Sequence, residues 1–295
     1  MTQTPSRTAE FDAQRSRLFG LAYRMLGSRA EAEDVLQDAY IRWYQAGDAI
    51  DNPEAWLVTT TTRLAIDRLR RLQTERQAYT GPWLPEPLVA GPPRPDRALE
   101  LADDLSVAFL TMLERLAPDE RAALLLHDVF DVDYGRIAAV LNRSEAACRQ
   151  VVHRARERVR GPRKRFEADD QARMALLRRF QAAVDARDEQ AVLALFAPDA
   201  TWTADGGGKV AASPRPIVGA ERIAKVVIGI SEKFWKPTWR LELATVNGEA
   251  GLCIRDGGRL VSVLSIETDG DRILNVYAIV NPDKLGEERH DDPTH

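Results

Sequence analysis

The sequence predicts a multidomain fold, with two all-α helical domains followed by an α+β domain. Three observations carry this expectation. Apolar residues recur at three-to-four spacing from Phe11 to Leu72, and helical patterning resumes between Asp96 and Glu167. The stretch TGPWLPEPLVAGPPRPD, Thr80 to Asp96, interrupts them with Gly and Pro and no apolar periodicity. Beyond Met174, two short helical patterns give way to strand-like runs between Gly-rich turns, the signature of a separate α+β domain. The expected boundaries are a first domain over 1–75, a linker over 76–97, a second domain over 98–167, a third over 174–285 and a flexible tail over 286–295.

In the first block, Leu18, Leu21, Ala22, Met25 and Leu26 mark a helix that Gly27 and Ser28 break. Ser28 followed by Glu31 is a capping box for a helix from Ala30 to Ala46, and Asn52-Pro53 opens a third helix running to about Arg71. In the second block, Tyr134 to Leu141 reads as a short amphipathic helix and Asn142-Arg143 as a turn. Ser144 caps a longer helix whose apolar positions are Ala147, Val151, Ala155 and Val159. The third block opens with helices from Leu176 to Ala186 and Glu189 to Phe196; the remainder is strand-like. Its strands are TWRLELATV, AGLCIR, LVSVLSIET and RILNVYAIV, turned by Asp256-Gly257-Gly258 and Asp269-Gly270. There is no internal repeat.

A chain of 295 residues that is 44% hydrophobic and 29% charged has globular composition, which argues against extended disorder outside the ends. No run of eighteen apolar residues occurs and the first residues, MTQTPSRTAEFD, hold no apolar core, so a cytoplasmic protein is expected. Cys148 and Cys253 are two isolated thiols, expected to be reduced. His127, His153, His290 and His295 sit in no metal-ligand spacing, so neither metal nor cofactor is expected. The net charge of -4 conceals a basic island: nine Lys or Arg residues against Glu145 and Glu157 between Arg143 and Arg165. Such an island suits phosphate binding, the competing reading being a solvated helix face.

The island falls on a helix-turn-helix pattern. On its second helix Arg149, His153, Arg156 and Arg160 share one face, while Gln150 and Arg154 share the next. Arg can bind guanine and Gln adenine in a bidentate fashion in a major groove, and the trailing arginines suit phosphates. Here the chain resembles the extracytoplasmic-function sigma factors of bacterial RNA polymerase. AEDVLQDAYIRWYQA and PEAWLVTTTTRLAIDRLRR are similar to region two of that family, and LERLAPDERAALLLHDVFDVDYGRIAAVLNRSEAACRQVVHRARERV to region four. The resemblance implies two partners, core RNA polymerase and promoter DNA, in a chain expected to be monomeric. Asp34, Gln37, Asp38 and Ile41, on one helical face, are then the polymerase contact. Arg63, Arg68, Arg70 and Arg71 would follow the -10 element, with Trp56 either core or a stacking platform for an unpaired base. The family usually has Asn where Arg63 stands. Ser144, Arg149, Gln150, His153, Arg154 and Arg156 would meet the -35 element.

The third block resembles the SnoaL-like branch of the nuclear-transport-factor-like cone fold, a curved antiparallel sheet around a pocket. Three motifs are similar to those of sigma factors that carry such a domain fused as a built-in regulator: Trp83, Leu84, Pro85, Glu86 and Pro87 (WLPEP), Asp205, Gly206, Gly207, Gly208 and Lys209 (DGGGK), and Asn281, Pro282, Asp283, Lys284 and Leu285 (NPDKL). DGGGK lacks the spacing of a nucleotide-binding loop and reads as a close-approach loop at the mouth of the cone. The expectation is that Trp83 and Leu84 dock near it, with Glu86 facing Lys209. The alternatives are a cone that senses a small ligand, or an enzyme fused to a DNA-binding module. For the latter Asp205 is the candidate base, but no His lies between Arg154 and Arg289 to assist it, so no catalytic residue is assigned.

Overall fold

A computed structural model describes residues 7–46, 50–91, 105–159 and 170–286. The chain divides into two compact units, Met1–Ala78 with Leu110–Lys164, and Tyr79–Phe109 with Arg165–His295. The expected start of a helical block near Asp96, the basic residues Arg160, Arg163, Lys164 and Arg165, and the tail from 287 lie outside the described residues. Among the described residues no helix is long and apolar enough to cross a membrane.

The first unit is helical throughout. α1 (Arg7–Leu26), α2 (Arg29–Gln45) and α3 (Pro53–Arg76) pack together around Leu21, Leu26, Leu36, Trp43, Leu57 and Leu69, all fully buried. Gly27, at a φ of +65°, ends α1 where a side chain would be strained. Ser28 then accepts from the Glu31 amide and Asn52 from the Ala55 amide, which satisfies two of the donors that a helix start leaves open. Four further helices follow: α4 (Val107–Leu113), which runs from one unit into the other, α5 (Pro118–Asp128), α6 (Tyr134–Leu141) and α7 (Glu145–Val159). Asp133 caps α6, Asn142 ends it in the left-handed region and Ser144 accepts from the Ala147 amide (3.2 Å). The buried side of α7 is Cys148, Val151, Val152 and Ala155; of the expected apolar repeat Val151 and Ala155 are buried, while Ala147 and Val159 are half-buried.

The second unit is a seven-stranded sheet with helices on one face, the separate α+β domain expected from the sequence. After α8 (Asp170–Asp185) and α9 (Glu189–Leu195) come β2 (Phe196–Asp205), β3 (Ile217–Val218), α10 (Ala220–Lys233) and the meander β4 (Trp239–Val246), β5 (Glu249–Asp256), β6 (Arg259–Thr268) and β7 (Ile273–Ile279). β1 (Val89–Ala90) comes from the linker and extends the edge of β4, giving the order β1-β4-β5-β6-β7-β2-β3. The sheet is mixed rather than wholly antiparallel, because β2 pairs in parallel with β7. Alternation sorts its residues. Leu252, Leu264, Ile266 and Ala278 meet Leu177, Phe180, Ile223 and Val227 of the helices, while Cys253, Val263 and Ile279 point the other way.

That second face is covered by Leu84, Val107 and Leu285. The linker is therefore a strap across the sheet, and the cone unit takes in residues expected to open the second helical domain, because Val107 is buried against it. The stretch 220–233 corrects the strand-like reading of the third block. Its Ile223, Ala224, Val227, Ile228 and Ser231 are buried at helical spacing behind Gly219, a signal that β-branched composition obscured. Both cysteines are buried and neither forms a disulfide.

Leu84 has no exposed surface. Leu84→Ala is expected to cost about 2–5 kcal/mol, read as a lower midpoint for the unfolding transition of the cone unit. Leu88→Ala, at a half-buried position, should cost clearly less; equal small losses at both would show that the strap leaves the sheet in solution.

Candidate functional site

The three motifs meet at the carboxylate of Asp205, fully buried at the end of β2. It accepts four hydrogen bonds: from the Tyr79 hydroxyl (2.5 Å), the Leu84 amide (2.8 Å), the Gly207 amide (3.1 Å) and the Lys284 ammonium (2.7 Å). Lys284 also donates to the Leu84 carbonyl (2.5 Å) and lies 4.0 Å from the centroid of the Trp83 ring, a cation–π contact. Asn281 is buried; its amide donates to the Tyr79 oxygen (2.9 Å), and its carbonyl oxygen caps the short helical turn Pro282–Lys284. Burial first, and the Asp205 carboxylate second, push the Tyr79 hydroxyl above its ordinary pKa, so it stays protonated as a donor. A side chain at Gly207, with φ of +59°, would overlap the Asn281 amide, which explains the close-approach loop.

One expectation is corrected here. Lys209 pairs with Asp283 (2.5 Å) rather than Glu86, because the loop and the last turn share one side of Asp205. Asp205, expected beside the strap, binds it through the Leu84 amide and through Lys284. Two residues were missed. Tyr79 precedes the motif without any pattern of its own. Asn247, in a tight turn with Gly248, is buried; it accepts from the Leu88 amide (3.0 Å) and donates to the Leu105 carbonyl (3.0 Å), which clamps the far end of the strap. Asn-Gly between two strands was the available signal.

In the first unit Asp34, Gln37, Asp38 and Ile41 are all exposed on α2, and Tyr44 continues their face. A cleft of about 350 Å³ between α2 and α3 brings Asp34, Gln37 and Asp38 beside Asp67, Arg68 and Arg71. Trp56 is half-buried against Trp43, ring centroids 5.5 Å apart, so it is largely core. Three of the four candidate α3 arginines are engaged: Arg68 with Glu31, Arg70 with Asp119 (2.8 Å), and Arg63 with the carbonyls of Ala139 and Val140.

On α7, Arg149, Gln150, His153 and Arg154 are exposed together, opposite the buried side of the helix, and Ser144 is exposed at its start. Arg149 pairs with Glu145 one turn back (2.8 Å) and lies over the Tyr134 ring. Arg156 departs from the expected groove-facing set. It is half-buried and binds Asp128 of α5 with two nitrogens, because the helix turns it toward α5. Burial opposes ionisation of Asp128, but donors from Arg156 and His127 hold its carboxyl below the ordinary value.

Residues 11–75 match the model of sigma-70 region 2, and residues 106–159 that of sigma-70 region 4. The chain is 37% identical over 301 aligned residues to the ECF RNA polymerase sigma factor SigJ of Mycobacterium tuberculosis, covering 97% of this chain and 96% of that one. It is 29% identical to the probable sigma factor SigI of the same species, covering 97% of each chain. The crystal structure of SigJ from that species superposes with a TM-score of 0.76 at 34% identity, over 94% of this chain and 97% of the other. These relatives are sigma factors rather than enzymes. Two sigma-70 regions in this order, in a chain that such relatives match almost end to end, make this protein a member of the extracytoplasmic-function RNA polymerase sigma factors.

Proposed function

We propose that this sigma factor binds core polymerase through the exposed α2 face, reads the -35 element with α7 and the -10 element with α3, and is tuned by its own C-terminal domain through the strap. The observation that carries the last point is the Asp205 carboxylate. The segment that connects region two to region four is bound by hydrogen bonds and by Leu84 into the sheet of the C-terminal domain. Any change in that domain that loosens Asp205 or Asn247 lengthens the free tether between the two DNA-reading regions, which alters how easily they span a promoter.

For the polymerase face, Asp38 is exposed and buries no partner. Asp38→Lys is expected to abolish binding to core enzyme while stability moves by about 0.5 kcal/mol or less, checked by co-purification and thermal melting. A large drop in melting temperature would make Asp38 structural.

For the -35 reading, Arg149 can exchange its exposed Glu145 partner for a base edge. Arg149→Ala should cost about 1–3 kcal/mol of binding and relax preference at one base pair, measured against a panel of promoter variants selected with the holoenzyme. An equal loss on every sequence would move Arg149 to the DNA backbone.

For the regulatory reading, Asp205→Asn in the full-length chain keeps the side-chain shape but removes the charge that Lys284 faces. Transcription in vitro with core enzyme is expected to change while co-purification of core enzyme does not. Unchanged transcription from a variant whose strap is shown to be released would reduce the C-terminal domain to a passenger.

A further inference from the structure

Within region four, Tyr134 opens α6 just after the Asp133 cap, and its half-buried ring meets two side chains from other helices. The Arg149 guanidinium of α7 lies 5.2 Å from the ring centroid. The His127 ring of α5 lies 4.4 Å from it, tilted by 37°. His127 is itself tied down, because its Nδ1 is 2.8 Å from Asp128 Oδ1 and 3.2 Å from Nη2 of Arg156. Arg156 in turn donates from Nε to Asp128 Oδ2 (2.8 Å). The series Arg149, Tyr134, His127, Asp128, Arg156 therefore starts and ends on α7, about two turns apart, and passes through α6 and α5 on the way. The neighbours of Arg149 on the exposed face are not held in this way. Among the described residues, neither Gln150 nor Arg154 takes a side-chain hydrogen bond or a ring contact.

We infer that Tyr134 is the positioning residue for Arg149: its ring, backed by His127, holds the guanidinium where it can take a guanine in bidentate fashion, and so sets the preference at one base pair of the -35 element. The inference rests on the reading of α7 at the -35 element given above. An arginine free in solvent gives up rotamer freedom when it docks on a base edge, and one already lying on an aromatic face gives up less. A ring face holds a cation without using its N–H groups. Glu145 engages Nη2, so the guanidinium keeps donors for guanine O6 and N7. The same series gives a task to Arg156, which is half-buried against α5 instead of facing the groove: with Asp128 it fixes the His127 ring on which Tyr134 rests. A cation–π contact at an exposed site shifts an equilibrium by about two- to fivefold, which is enough to sharpen the choice at a single base pair.

The test uses the full-length chain in the holoenzyme against promoters varied at each base pair of the -35 element. Tyr134→Leu is expected to lower preference about two- to fivefold at the same base pair that Arg149→Ala relaxes, and to add nothing in the Arg149→Ala background. Tyr134→Phe, which keeps the ring, should restore the preference. A second readout needs neither DNA nor a substitution: magnetic relaxation of the arginine side-chain nitrogens in the free protein should show Arg149 Nε ordered and Arg154 Nε mobile. Arg149 should then loosen in Tyr134→Leu. Preference lost in Arg149→Ala but kept in Tyr134→Leu would overturn the inference and leave the base reading intact. An equal loss on every sequence with Tyr134→Leu would make Tyr134 structural and also sink it. Arg149 ordered through Tyr134, with no preference lost in Arg149→Ala, would keep the platform and remove the base reading on which the inference rests. If Tyr134→Leu fails to fold, the unsubstituted chain decides: an ordered Arg149 beside a mobile Arg154 supports the platform, and equal mobility of the two rules it out.

Discussion

The Asp205 carboxylate is the constraint on which the arrangement of the C-terminal unit depends. A fully buried anion is costly unless its lone pairs are occupied, and here four donors occupy them: two from the strap, one from the final turn and one from the loop that follows Asp205 itself. Removing a partner from a buried charge costs about 3–5 kcal/mol in general, so the segments that supply the donors are held together as a group. The consequence is topological as well as energetic. The chain that leaves region two at α3 cannot proceed directly to region four. It first crosses the outer face of the sheet, with Leu84 filling that core, adds β1 to the edge of β4 and passes the Asn247 clamp.

Electrostatics in the helical unit follow a different rule. Region four is rich in arginine, yet much of that charge is matched inside the unit: Arg156 by Asp128, Arg158 by Glu120 and Arg143 by Asp119. Partly exposed pairs of this kind add little stability. What distinguishes the candidate reading face of α7 is that Arg149, Gln150, His153 and Arg154 point to solvent together while Cys148, Val151, Val152 and Ala155 anchor the helix behind them.

Much of this was legible in the sequence where local rules govern. Ser28, Asn52, Asp133 and Ser144 each cap a helix through their own side chains, and the helix-turn-helix and the strands β4 to β7 emerge from spacing and turn residues alone. The apolar Trp83 and Leu84 in a proline-rich stretch implied a surface to bury against. The misses have a common cause. α10 is helical because its apolar stripe faces the sheet, although Ile and Val lower its local helix propensity. β2 finds its parallel partner β7 about seventy residues away, and Lys209 chooses Asp283 over Glu86 because of where the sheet ends. Arg63, in a position where Asn is usual in the family, gave no hint from sequence that it would cap α6. Contacts with distant segments decide these cases; α10 alone carried a local signal, its apolar residues at helical spacing.

The decisive property is whether the strap is part of the C-terminal domain in solution. Hydrogen exchange at the Leu84 and Leu88 amides of the full-length protein measures this directly, since the first donates to Asp205 and the second to Asn247. Both amides are expected to exchange as slowly as those in the central strands β5 and β6. Exchange at the rate of an open, unstructured peptide would contradict it and leave the linker a simple tether.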